Sequence, residues 1–142
     1  MTKAIELPKG YLPSETEEFM NPMQLEYFKR KLVAHRDALI KETEETLAKL
    51  KQESRSDSTE VKDEVDVAND EAAKMLEIRI ADRYRKLLKK IDAALGRIET
   101  GTYGYCIKSG DPIALGRLEA KPDATMSIES QIQHDLDKND KV

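Results

Sequence analysis

The sequence predicts a mainly α-helical protein, built on a long antiparallel coiled-coil hairpin with a small C-terminal lobe and a last helix. Three observations support this class. Two long segments repeat apolar residues at alternating three- and four-residue spacing, as one face of a helix requires. The composition, 37% charged and 39% hydrophobic without tryptophan, suits a narrow seam better than a large core. After residue 100, closely spaced glycines and aromatic residues indicate a compact lobe.

Three regions follow from these patterns. Residues 1–20 contain Pro8, Gly10 and Pro13 and are expected to form an extended arm, with Phe19 and Met20 as anchors. Residues 21–100 are expected to form the hairpin, with its tip near residues 60–68. Residues 101–142 are expected to form a lobe like a degenerate zinc finger, followed by the C-terminal helix.

The first helix is predicted to begin at Asn21-Pro22, because Asn is a good N-cap and Pro is favoured at the first helical position. His35 falls in its apolar stripe. No other His, Cys or paired carboxylate lies one turn away, so we expect a packed or partly exposed seam residue rather than a ligand or a proton switch. The stripe thins beyond Leu39. Its apolar members are Leu25, Phe28, Leu32, Leu39, Leu47 and Leu50.

The second helix carries a similar stripe and is rich in Lys and Arg toward its C-terminal end. Gly101 is predicted to stop it. The stripe comprises Ala72, Leu76, Ile80, Arg83, Leu87, Ile91, Ala94 and Ile98.

The acidic segment from Asp63 to Ala68 lies between the two stripes, after a stretch at 53–60 that contains no aliphatic residue. In a hairpin with arms of about 30 residues, it would be held about 45 Å from the base. Asp63 and Asp66 are three residues apart and would share one face of a helical turn. They are candidates for a displayed functional group, but stabilisation of a helix N-terminus explains the same spacing.

The lobe has the layout of a four-cysteine zinc module, but its four ligand positions hold Cys106, Ser109, Ser127 and Ser130. Serine hydroxyls are poor zinc ligands, and His134 would add only one donor to Cys106. We therefore expect no zinc and no other metal. Cys106 is expected to be a buried structural thiol; a redox sensor is the alternative.

Two short helices are predicted in the same region. One turn, capped by Asp111-Pro112, would run through Arg117 to Ala120. A last helix, capped by Thr125 or Ser127, would carry the apolar residues Ile128, Ile132 and Leu136.

Composition also narrows the functional class. The net charge is −4, and basic residues are interspersed with acidic ones, so direct binding to nucleic acid is not expected. No apolar run is long enough for a membrane span or a signal peptide. A single cysteine fits a reducing compartment. We therefore expect a cytoplasmic protein.

Five groups of residues together resemble a known family. They are Asn21 with Gln24, Leu25 and Phe28; Asp63, Asp66 and Ala68; Asp82, Arg83, Arg85, Lys86, Leu87, Lys89, Lys90 and Ile91; Gly104-Tyr105-Cys106; and Arg117-Leu118-Glu119-Ala120-Lys121-Pro122. In this order, over roughly residues 11–135, they resemble the DksA/TraR family of bacterial transcription factors. The chain departs from the family at the zinc ligands, where most relatives have four cysteines.

The resemblance implies a regulator that binds RNA polymerase rather than DNA. Such a regulator is not an enzyme, and we expect it to act as a monomer. In the family the hairpin enters the secondary channel, and open promoter complexes are destabilised together with the stringent-response alarmone ppGpp. By resemblance, Asp63, Asp66 and Ala68 are the residues that face the polymerase active site, and Arg83 contacts the rim of the channel. Lys90 and Lys121 match basic residues of the ppGpp pocket, and a third basic position is occupied by Gln131.

Two other functions fit the same features. A transcript-cleavage factor of the Gre type also presents carboxylates on a coiled-coil tip, where they hold magnesium. A non-enzymatic coiled-coil adaptor would pair its seam with another chain. The thinning stripe disfavours the adaptor.

Overall fold

The computed structural model describes residues 5–55 and 64–140. It contains four helices, α1 (Pro22–Arg55), α2 (Glu64–Thr100), α3 (Leu115–Ala120) and α4 (Ile128–Asp140). Within those residues the only β pairing is one isolated bridge between Tyr105 and Pro112. The predicted all-α class is confirmed.

The local signals at the ends of α1, α2 and α4 act as predicted. The predicted cap of the short helix at Asp111-Pro112 is wrong, because α3 begins at Leu115, its N-cap residue is Ala114 and no side chain caps it. The Asn21 side-chain oxygen accepts a hydrogen bond from the Gln24 N–H at 2.9 Å, which caps α1. Gly101 follows the last residue of α2 with φ of 80°, a left-handed conformation that glycine adopts without strain. The Ser127 hydroxyl accepts a hydrogen bond from the Ser130 N–H and caps α4, so of the two proposed caps Ser127 is the one used.

The chain divides into two compact units. The first, unit A, contains the residues up to Ala34 and those from Ile91 onward, and the second, unit B, is His35–Lys90. α1 and α2 each contribute to both units.

Unit A contains the hydrophobic core. Phe28 packs against Tyr103 with ring centroids 5.7 Å apart, and the Tyr103 hydroxyl donates to the Pro122 carbonyl at 2.7 Å. Through Tyr103, the two contacts together connect α1 to the segment that follows α3. The other buried apolar residues of this core are Leu32, Ile91, Ala94, Cys106, Ile113, Leu118 and Ala124.

The N-terminal arm is fastened to unit A by a buried glutamine. Gln24 is fully buried, its Oε1 accepts from the Met20 N–H at 2.8 Å, and its Nε2 donates to the Ser14 carbonyl at 3.2 Å. The two predicted anchors also make contacts, since Phe19 packs edge-on against Tyr105 and Met20 lies against Gly104. The arm is therefore held by polar and apolar contacts together.

In unit B the two long helices bury little side-chain surface against each other. None of its described residues is fully buried, as the thinning of the first stripe predicted. Segments of both helices line one cleft of about 210 Å³, so the helices lie side by side there. The residues that line it are Leu39, Glu42, Thr43, Thr46, Ile80, Arg83, Tyr84 and Leu87.

The predicted register of the seam is wrong at several positions. His35 is exposed, and Arg36 is the half-buried residue of that turn. On α2, Ala72, Leu76 and Arg83 are exposed. Half-buried positions recur instead in a seven-residue pattern along α2, at Ala73, Glu77, Ile80, Tyr84 and Leu87. The face toward α1 is thus about a quarter turn from the predicted one.

Candidate functional site

The acidic segment lies at the start of α2. Asp63, which is predicted to lie on the same helical face as Asp66, is outside the described residues. Asp66 is in the first turn of α2 and is exposed, and Ala68 follows it, also exposed. A carboxylate in the first turn is favoured by the unpaired N–H groups of the helix. This placement leaves Asp66 accessible at little cost to the fold.

The predicted contact with the channel rim, Arg83, lies farther along α2. Its side chain is exposed at the edge of the cleft between the two helices of unit B. The described part of the chain offers Arg83 no carboxylate within ion-pair distance, although Glu42 lines the same cleft. The guanidinium is therefore available to an external acceptor.

The two lysines matched to a ppGpp pocket belong to different units. Lys90 is the last residue of unit B and is exposed. Lys121 follows α3 in unit A, where its backbone N–H donates to the Arg117 carbonyl at 2.7 Å and its side chain is exposed. Gln131 donates a hydrogen bond from Nε2 to Asp135, one turn later on α4.

The four positions of the zinc-finger layout do converge. Cys106 is buried, with 2% of its surface exposed. Burial raises the pKa of its thiol, but hydrogen bonds from the Ser109 and Ser130 hydroxyls and from the backbone of Ser109 and Ser127 outweigh it and lower the pKa to about 5. The serines thus form a polar cradle that favours the thiolate.

A cluster that the sequence analysis did not identify joins α3 to α1 inside unit A. The Tyr27 hydroxyl lies 2.7 and 2.8 Å from the two carboxylate oxygens of Glu119, and the Lys31 ammonium donates to the same carboxylate at 2.5 Å. Burial raises the pKa of Tyr27, and the hydrogen bond to Glu119 raises it further, to about 12.

This cluster explains part of the Arg117-to-Pro122 motif. Leu118 enters the core, Glu119 binds α1, and the Arg117 Nε donates to the Met126 carbonyl at 2.8 Å. From the sequence alone, this motif indicated only the family resemblance. Its alternation of apolar and charged residues was the one available signal that it joins several elements.

Comparison with known proteins assigns the family. Residues 24–98 match the family model "DnaK suppressor protein DksA, N-terminal domain", and residues 101–135 match "Prokaryotic dksA/traR C4-type zinc finger". This chain belongs to the DksA/TraR family. The predicted resemblance is confirmed, and it extends over both the helical segment and the lobe.

Individual family members agree with this assignment. An RNA polymerase-binding transcription factor DksA of Caulobacter vibrioides is 50% identical, over 88% of this chain and 85% of its own length. The protein of the same name from Escherichia coli K12 is 39% identical, over 84% of this chain and 76% of its own length.

A solved structure agrees too. Transcription factor DksA2 from Pseudomonas aeruginosa matches with a TM-score of 0.73 and 33% identity, over 85% of this chain and 90% of that one. The relatives are named as transcription factors, so the prediction that the chain is not an enzyme is confirmed. The Gre-type alternative gains no support.

The family match corrects one prediction. Zinc was not expected, yet residues 101–135 match a C4-type zinc finger, which points to a zinc-binding family, so that expectation is wrong for this domain. The residues themselves do not reproduce a four-thiolate site, because they supply one thiol and three hydroxyls. Among residues 5–55 and 64–140, no group of three or more His, Cys, Asp or Glu side chains is arranged to hold a metal ion.

Proposed function

We propose that this chain is a transcription regulator that acts by binding RNA polymerase. The observation that carries the proposal is the 50% identity, over 88% of the chain, to a protein named RNA polymerase-binding transcription factor DksA. The exposed acidic start of α2 supports it, because Asp66 and Ala68 are accessible to a partner there.

In the proposed mechanism, the acidic start of α2 enters the secondary channel of the polymerase and acts near its active site. The carboxylates of Asp63 and Asp66 influence mobile catalytic elements through charge and hydrogen bonding. Ala68 permits close approach, because its side chain is a single methyl group. Arg83, which has no carboxylate partner among the described residues, contacts the channel rim. The result is destabilisation of open promoter complexes.

The alarmone ppGpp is a second proposed ligand. Lys90 and Lys121 are exposed ammonium groups, which suit phosphate oxygens. Gln131 is neutral and already donates to Asp135. Because this chain has one cationic group fewer at these positions, we expect ppGpp to enhance its activity less than the activity of relatives with three basic residues.

Cellular location and assembly follow from the proposed partner. No helix among residues 5–55 and 64–140 has the length and apolar character needed to cross a membrane. A regulator of RNA polymerase works in the cytoplasm. The chain is proposed to act as a monomer and without direct contact to nucleic acid, in keeping with its net charge of −4.

Single-round transcription from a ribosomal RNA promoter tests the proposal. The wild-type protein is expected to inhibit, and Asp66→Asn is expected to bind polymerase equally well but to inhibit at least about tenfold less, since the charge is lost where the protein acts. Asp82→Asn is the matched control, because it makes the same chemical change at an exposed position elsewhere on α2. It should inhibit like the wild type.

Three results would contradict the proposal. A wild-type protein that does not bind polymerase would refute the function itself. Full inhibition by Asp66→Asn would refute the proposed role of the acidic segment. Cleavage of RNA in a backtracked complex would indicate the Gre-type activity instead. Repeating the assay with ppGpp, using Lys90→Ala and Lys121→Ala, tests the second ligand.

A further inference from the structure

The cleft in unit B is built by two facing helical surfaces. α1 and α2 each line it with four residues at positions i, i+3, i+4 and i+7, the spacing of a single helical face. The four from α1 are Leu39, Glu42, Thr43 and Thr46, and the four from α2 are Ile80, Arg83, Tyr84 and Leu87. At about 210 Å³ the cleft is much larger than the gaps that close packing leaves between helices. It is large enough to hold a small molecule.

Two opposite charges line this cleft without pairing. The carboxylate of Glu42 belongs to α1 and the guanidinium of Arg83 to α2, and both side chains are exposed enough for a ligand to reach them. Among residues 5–55 and 64–140, neither charged group makes an ion pair or a side-chain hydrogen bond. A direct ion pair would satisfy both groups, so the space between them leaves each one able to bind a group of the opposite charge.

The rest of the lining supplies apolar surface and hydroxyl groups. Leu39, Ile80 and Leu87 are half-buried, so part of each side chain faces the cleft rather than the seam. The hydroxyls of Thr43 and Tyr84 have no hydrogen-bond partner within the described part of the chain. Sites for small molecules combine an apolar lining with a few polar groups that fix the orientation of the ligand. This cleft has both components.

We propose that the cleft binds a small zwitterion with an apolar side chain, an α-amino acid of about the size of leucine. The carboxylate of the ligand accepts two hydrogen bonds from the Arg83 guanidinium, whose planar fork matches a carboxylate. The ammonium group of the ligand donates to the Glu42 carboxylate, and its side chain lies against the apolar lining. This goes beyond the proposed function, because the ligand is a small molecule that the chain binds without the polymerase.

The charges and the volume of the cleft disfavour other ligands. An inorganic anion would be attracted by Arg83 but repelled by Glu42, and a metal ion would be attracted by Glu42 but repelled by Arg83. A nucleotide is too large, because pockets for drug-sized ligands have volumes of about 300 Å³ or more. A molecule that carries both charges close together uses both groups.

An NMR titration of the isotope-labelled full-length chain with three probes tests the proposal. L-Leucine carries both charges, 4-methylpentanoate lacks the ammonium group, and L-leucinamide lacks the carboxylate. L-Leucine is expected to shift the amide signals of the residues that line the cleft, with a Kd of about 1 mM or tighter. Each of the other two probes is expected to bind at least about tenfold more weakly, because each loses one charged contact.

Two substitutions assign the two ends of the ligand. Arg83→Gln is expected to weaken leucine binding about tenfold and to abolish the preference for leucine over leucinamide, because the partner of the carboxylate is lost. Glu42→Gln is expected to weaken it by a similar factor and to abolish the preference over 4-methylpentanoate. Arg79→Gln and Glu45→Gln are the matched controls, since they make the same changes at exposed positions outside the cleft. Both controls should bind leucine like the wild type.

Each contrary outcome overturns a stated part of the proposal. A wild-type chain that shows no saturable shifts with L-leucine up to about 10 mM would overturn it entirely. Equal affinity for leucine and 4-methylpentanoate would indicate a simple anion site and overturn the role of Glu42. Equal losses in the cleft and control variants would indicate a general charge effect. Polymerase takes no part in these titrations, so their failure leaves the proposed function standing, and failure of polymerase binding leaves this site standing.

Discussion

Replacing Glu119 by Gln isolates the contribution of the cluster that joins α3 to α1. The carboxylate accepts hydrogen bonds from Tyr27 and Lys31. A neutral amide can still accept a hydrogen bond from Tyr27, but a weaker one, and it no longer carries the negative charge that attracts the Lys31 ammonium. Hydrogen bonds to charged groups contribute about 1.5–3 kcal/mol when well buried. The Glu119 side chain is 44% and that of Lys31 25% exposed, so solvent screening reduces this to about 1–2 kcal/mol.

The predicted loss depends on pH in a defined direction. Burial raises the pKa of Glu119, but hydrogen bonds from Lys31 and Tyr27 outweigh it and hold the pKa below its ordinary value of 4.5. A lowered pKa stabilises the fold above pH 4.5, and this contribution is lost as the pH falls through the folded-state pKa. Tyr27 has a raised pKa, so its contribution is full below pH 10 and is lost as the pH rises through about 12.

Thermal melts of wild type and Glu119→Gln measure both effects. At pH 7 the variant is expected to melt about 3–7 °C lower, and the difference should shrink as the pH falls through the folded-state pKa of Glu119. Glu71→Gln is the control, because Glu71 is exposed on α2, and it should melt like the wild type. Equal losses in the two variants, or a difference that does not shrink as the pH is lowered below 4.5, would refute the reasoning.

Two further predictions concern buried polar groups. Gln24→Leu leaves the Met20 N–H and the Ser14 carbonyl without their partner. It should lower the free energy of unfolding by about 1–3 kcal/mol, measured by denaturant titration, and expose the arm to proteases, measured by limited digestion. Unchanged digestion would refute the anchoring role. Ser130→Ala removes a hydrogen bond that favours the thiolate, so the pKa of Cys106 should rise from about 5 by about one unit. The absorbance of the thiolate in the near ultraviolet measures this pKa. An unchanged pKa would show that the Ser130 hydroxyl does not act on the sulfur.

The features that could be predicted from the sequence are those set within a few residues. Asn21 caps α1, Gly101 follows α2 and Ser127 caps α4, because each acts on backbone groups within a few residues. The convergence of Cys106 with the serines was also foreseeable, since the spacing follows a known ligand layout. These local rules fixed the helix ends without reference to the rest of the chain.

The register of the seam was less predictable, for a physical reason. On α2 two neighbouring faces share Ile80 and Leu87, and apolar content alone favoured the one that contains Leu76. The structure instead turns Glu77 and Tyr84 toward the seam, because the position of α1 decides which face is covered. The pairing of Tyr27 with Glu119, 92 residues away, likewise depends on the tertiary fold and leaves no periodic signal.

The cleft in unit B leaves space for water between α1 and α2. Its volume of about 210 Å³ has room for several water molecules, and its lining includes Thr43, Thr46 and Tyr84, which can hydrogen-bond to them. Water bridges exchange partners as helices shift, whereas interdigitated side chains must first separate. We therefore expect small sliding movements of the two helices there to cost less free energy than in a dry seam, and in the proposed function this would let unit B adjust to the channel of the polymerase.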